Sequence, residues 1–132
     1  MRIAPKPTAY KEIEYRSRLE ARWAMLFDLC GFKHAYEPRG EGTTPDFRVK
    51  TGSMTWDLEV KPSMVQGTEF WYLQKEGVNL LGIGGFYRGK LPILIQLRKN
   101  GLHHRDFDIV FQCQDLMKHF RTAEGYRFDL KG

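Results

Sequence analysis

The sequence predicts an α/β fold: a mixed β-sheet flanked by helices in the order α-β-β-β-α-β, with a β-α-β extension at the carboxyl end. Three observations predict it. Apolar residues recur every three or four positions through residues 10–30, polar and apolar residues alternate twice through residues 46–61, and a run that is apolar but for Gln96 fills residues 91–97. A chain of 132 residues with no internal repeat, linker or low-complexity tract is expected to form a single domain over 1–132.

The first element is a helix over residues 10–30, where Leu19, Trp23, Leu26, Phe27 and Cys30 share one face and Gly31 is a natural stop. Residues 33–37 read as a short strand ended by Pro38, and residues 39–44 as a loop leading into Pro45-Asp46. Phe47 and Val49 then alternate with Asp46, Arg48 and Lys50. Thr51-Gly52-Ser53 turns the chain, and residues 54–61 alternate again, so a hairpin is expected. In its second strand Trp56, Leu58 and Val60 face one side while Asp57, Glu59 and Lys61 face the other, which is expected to be polar.

Thr68 is placed to cap a helix over residues 69–75, with Phe70, Trp71 and Leu73 as its apolar surface and Gly77 beyond its end. Four glycines in residues 81–89 suit a loop. The apolar run 91–97 suits a strand buried on both faces, with Pro92 at its start. Beyond it, residues 100–105 read as a polar loop, 107–111 as a strand, 114–120 as a short helix and 126–130 as an extended piece.

The composition is that of a folded protein: 42% hydrophobic, 14% aromatic and 28% charged residues. A net charge of +5 and a pI near 9.3 favour an anionic partner, nucleic acid first. Cys30 and Cys113 form no CxxC pair, which argues against structural zinc, and both read as small buried side chains. The first seven residues lack an apolar core segment, and no run reaches the about 20 apolar residues of a membrane span, so a cytoplasmic protein is expected.

Pro45-Asp46 followed thirteen positions later by Glu59-Val60-Lys61 resembles the PD-(D/E)xK signature of restriction-endonuclease-like nucleases. In that family the Asp starts one hairpin strand, the acidic-x-Lys lies on the next, and an upstream helix carries a further Glu. Arg18-Leu19-Glu20 is similar to that helix motif. Thr44-Pro45-Asp46-Phe47 and Leu58-Glu59-Val60-Lys61-Pro62 resemble forms found in phage Holliday-junction resolvases of the endonuclease I type and in endonuclease subunits of heteromeric cut-and-paste transposons. The resemblance covers residues 15–62. It implies a restriction-endonuclease-like core and a metal-dependent DNA endonuclease that hydrolyses phosphodiester bonds by metal-activated water.

Under that resemblance Glu20, Asp46, Glu59 and Lys61 are the catalytic candidates. Asp46, Glu59, the Val60 carbonyl and Glu20 are the candidate ligands of Mg²⁺, for which Mn²⁺ can substitute. Lys61 shares a strand face with Glu59, so its ammonium can approach the attacking water and the developing charge. Each residue has a plainer reading. Glu20 completes a capping box with Ser17, Asp46 is a solvated strand start, and Glu59 and Lys61 are cross-strand partners on a wet face. Asp57 is expected to face solvent, His103-His104 to be solvated, and Gly82-x-Gly84-Gly85 to be a turn lacking the flanking strand and helix of a phosphate-binding loop.

The implied setting is a bacterial or phage-infected cell, with DNA as the partner. One site per chain cuts one strand, so a homodimer or heteromeric nucleoprotein complex is expected. The alternative is a catalytically inactive DNA-binding or protein-interaction module on the same fold.

Overall fold

A computed structural model describes residues 7–128. Its order is β1 (Thr8–Tyr10), β2 (Ile13–Tyr15), α1 (Arg18–Cys30), β3 (Lys33–Tyr36), β4 (Phe47–Thr51), β5 (Met54–Lys61), α2 (Gly67–Lys75), β6 (Leu80–Ile83), β7 (Ile93–Arg98), β8 (Gly101–Arg105), α3 (Phe107–Val110) and α4 (Leu116–Gly125). Strands β3 to β8 form one mixed sheet in sequential order, and β1 pairs with β2 as a separate hairpin. All neighbours in the large sheet are antiparallel except β5 and β6. Helix α2 supplies the crossover between that parallel pair.

Helix α1 begins later than the periodicity suggested. Lys11 and Glu12 take positive φ values of 49° and 69°, so the chain reverses there and pairs Thr8 with Tyr15 instead of entering a helix. Ser17 then caps α1, its Oγ accepting the Glu20 N–H at 3.1 Å, and Gly31 closes the other end at φ 78°. The expected apolar face holds: Trp23, Leu26 and Phe27 are buried, packed with Phe47, Leu58, Phe111 and Phe120. Cys30 and Cys113 pack against this core half-buried, and burial, then contact with Cys113, pushes the Cys30 thiol up.

The hairpin β4–β5 has the predicted register, with Val49 opposite Trp56 and Phe47 opposite Leu58. The side of β5 opposite these residues is less polar than expected, since Glu59 is buried and Leu81 and Ile83 of β6 lie beside Glu59 and Lys61. A second apolar cluster of Leu73, Val78, Leu81, Ile83 and Leu97 covers that face. Its helix is capped at Gln66 without a side-chain bond, so Thr68 is not the cap.

The carboxyl half departs most from the pattern. The expected loop at residues 81–89 contains β6, a four-residue strand buried throughout. Gly82 belongs to that strand because a Cβ there would lie 2.7 Å from Trp23 Cζ2, so its hydrogen lets α1 close on the sheet. Strand β7 is buried at Leu94 and Leu97 but exposed at its ends, Ile93 and Arg98, and half-buried at Ile95 and the polar Gln96, so it is not buried on both faces. The expected polar loop at 100–105 is β8, zipped onto β7 from Arg98–Gly101 to Leu94–Arg105. The expected strand at 107–111 is one turn of helix, because Phe107, Val110 and Phe111 bury together at helical spacing. Helix α4 runs five residues past the expected end at 120. Residues 126–128 form no strand, and 129–130 lie outside the described residues. No described helix is long and apolar enough to cross a membrane.

Candidate active site

Strand β4 starts at Phe47, so Asp46 sits one step beyond the last ladder pair, level with Glu59 across the hairpin. There the two acids clasp each other through the backbone. Asp46 N–H donates to Glu59 Oε1 at 3.1 Å, and Val60 N–H donates to Asp46 Oδ2 at 2.8 Å. Each carboxylate thus spends one oxygen on a backbone donor, while the second Glu59 oxygen faces Lys61 and the Asp46 carboxyl also meets Glu20. Both residues are buried, at 4% and 7% exposure. The side-chain alternation of β5 puts Lys61 on the same face as Glu59, with Nζ 3.6 Å from Glu59 Oε2 and 3.1 Å from Glu69 Oε2.

Glu20 arrives from α1. Its backbone N–H is the one capped by Ser17, but its side chain does not close a capping box. Its Oε1 accepts the Tyr36 hydroxyl at 2.9 Å, and the carboxyl reaches Asp46. Tyr36 in turn accepts the Arg16 N–H at 3.1 Å, and its ring packs tilted against Tyr15 with centroids 4.5 Å apart. The cap and the inward carboxylate are therefore compatible uses of one residue.

The electrostatics follow from burial with little compensating charge. Desolvation, then the Glu59 and Glu20 carboxylates, pushes Asp46 up to about 8 against the pull of the Val60 N–H. Burial also raises Glu59, although Lys61 and the Asp46 N–H oppose it. Burial on its own lowers Lys61, but Glu69, Glu59 and Asp46 outweigh it and hold the ammonium protonated. The four residues line one cleft of about 1060 Å³, walled by Tyr15 and Arg16 of the first hairpin, Tyr36, Glu37 and Pro62. Among the described residues, no group of three or more His, Cys, Asp or Glu side chains is spaced to hold a metal ion.

No protein-family model, curated protein or solved structure matches this chain. The site therefore has to be read from its own geometry. Two contributors were absent from the sequence reading, Tyr36 and Glu69, which reach Glu20 and Lys61 from β3 and α2. Glu69 sits eight residues after Lys61, and nothing in that spacing marks it. Tyr36 lies on the strand expected over residues 33–37, where nothing local marks its hydroxyl as a partner for Glu20.

The remaining sequence candidates lie elsewhere. Asp57 lies outside the cleft lining, partly exposed and paired with Arg48 at 2.8 Å in a surface ion pair. His104 is exposed, and His103 meets Asn100 at 3.2 Å. A strand does precede Gly84-Gly85, contrary to expectation, but a tight turn and β7 follow instead of a helix, so no phosphate-binding loop forms.

Proposed function

We propose that the protein is a metal-dependent DNA endonuclease of the PD-(D/E)xK, restriction-endonuclease-like kind. The observation that carries this reading is the Asp46–Glu59 clasp with the Lys61 ammonium beside it at the end of two parallel strands. Adjacent parallel strands commonly place ligands beyond their carboxyl ends.

The donor set fits Mg²⁺ or Mn²⁺. Two neighbouring carboxylates each keep a hard oxygen outside the clasp, and their raised proton affinities express a shortage of positive charge. Asp46 and Glu59 would hold the ion, with the Val60 carbonyl as a further oxygen donor, and Glu20, not spaced with them as a three-carboxylate metal group, would act on it through Asp46. When bound, it supplies the Lewis acidity and positive charge that phosphodiester hydrolysis demands. The chain does the rest. The backbone clasp fixes both carboxylates against rotation, and Tyr36 fixes Glu20. Lys61, kept cationic by Glu59 and Glu69, places a positive charge and a hydrogen-bond donor where an attacking water approaches a phosphate. Each chain carries one such site, so cutting both strands calls for two copies or a partner subunit, acting on DNA in a bacterial or phage-infected cell.

The test is incubation of supercoiled plasmid and of a four-way junction with the purified protein in Mg²⁺, Mn²⁺ or EDTA. Cutting in either metal, none in EDTA, and products bearing 5′-phosphates are expected. Binding without cutting in every metal would instead establish a catalytically inactive DNA-binding module.

A further inference from the structure

The segment leaving β6 carries an exposed aromatic ring between cations, at the same end of the sheet as the acid pair. Gly84, its first residue, donates its N–H to the Lys61 carbonyl at 2.9 Å, so the segment starts at the strand end that bears Glu59 and Lys61. Phe86 anchors it, with ring centroids 4.7 Å from Phe120 and 5.7 Å from Trp23. The chain then turns sharply at Arg88 and Gly89, whose φ values are 51° and 72°, and Lys90 N–H closes the turn on the Tyr87 carbonyl at 3.0 Å. Gly89 N–H donates to Glu124 Oε2 of α4 at 3.0 Å. The tip is thus held at its base and at its apex.

This held turn presents an exposed ring together with cations. Tyr87 is 62% exposed, with the Arg88 guanidinium over its ring at 5.0 Å and Lys90 closing the turn beside it. Among the described residues, Glu124 shares a hollow beside the turn with Arg18, Arg22 and Arg127. The Arg22 N–H groups donate to the carbonyls of Ala123 and Tyr126, which satisfies them without neutralising the charge. Arg18 opens α1 next to Ser17, which lines the cleft.

We propose that Tyr87, Arg88 and Lys90 form a contact site for DNA with an unpaired base, Tyr87 stacking on the base while Arg88 and Lys90 take the flanking phosphates. This rests on the nuclease reading for the choice of DNA as ligand. It narrows the substrate class to DNA with single-stranded or splayed character, because a base inside a duplex already has both faces stacked and offers the ring nothing.

Fluorescence anisotropy in EDTA tests it with fluorescein-labelled single-stranded oligothymidylate, a splayed fork and a blunt duplex. Wild-type protein is expected to hold the single strand and the fork more tightly than the duplex. Tyr87→Ala should weaken the first two by about tenfold while leaving the duplex unchanged, and Tyr87→Phe, which keeps the ring, should bind as wild type. Lys90→Ala should weaken all three alike and lower the salt slope by about one. Melting curves of each variant check the fold. Tyr87→Ala binding the fork as tightly as wild type, a wild type indifferent to fork and duplex, or no DNA binding at all would overturn the site. Because binding is read without metal, a protein that shows this preference but never cuts in Mg²⁺ refutes the nuclease reading alone. One that cuts while Tyr87→Ala changes nothing refutes this site alone.

Discussion

Asp46 concentrates the cost of the site. A carboxyl raised to about 8 by burial and by its acidic neighbours binds a proton in the folded chain that the unfolded chain, at the ordinary value of 3.8, has released. The folded state of the metal-free protein therefore gains from Asp46 most fully below about pH 4 and loses that contribution as pH rises towards about 8. In EDTA, urea midpoints should fall across this window, and Asp46→Asn, which cannot ionise, should flatten the fall. An unchanged slope in the variant would refute the burial argument. Tyr36 allows a second test: Tyr36→Phe leaves the buried Glu20 without its hydroxyl donor and should cost about 1–2 kcal/mol in urea denaturation. Asp46, Glu59 and Lys61 could be grouped from the sequence because strand alternation is local and fixes which side chains share a face. Tyr36 and Glu69 could not, because they meet their partners only through packing between elements distant in the chain.

At the scale of elements, the same division recurs. Helix α1 and the β4–β5 hairpin follow local rules: a Ser cap, a Gly stop, a turn and a period of two. Strand β6 broke them, since glycine in a strand reads as a loop signal unless the opposing side chain is known, and here that side chain is the Trp23 indole. Gly82→Ala should consequently destabilise the protein by about 1–3 kcal/mol through forced displacement of Trp23, visible as a lower melting temperature. A variant as stable as wild type would mean that α1 and β6 approach less closely. The amino-terminal hairpin and β8 were missed for a related reason. Their strands are only three to five residues long, held by ladder bonds to neighbours that the sequence around them does not reveal.

For the whole molecule, the mixed sheet converts two local patterns into one cleft. The β5–β6 parallel pair, made possible by the α2 crossover, brings the acid pair, Lys61 and the turn at Tyr87–Lys90 to one end, and α1 lays Glu20 across it. The cleft is acidic at its walls as well as its centre, with Glu14, Glu37 and Glu41 lining it besides Glu20, Asp46 and Glu59, against Arg16 and Lys61. That distribution calls for a cation before a polyanion can enter. The measurement that bears most directly on this account is the rate of plasmid nicking in Mg²⁺ by wild type, Asp46→Asn, Glu59→Gln and Lys61→Ala, with each variant's folding checked by its melting curve. Metal-dependent nicking by the wild type and a loss of at least about a hundredfold in every variant are predicted. Nicking that persists undiminished in the folded variants would contradict the assignment of these residues to the active site.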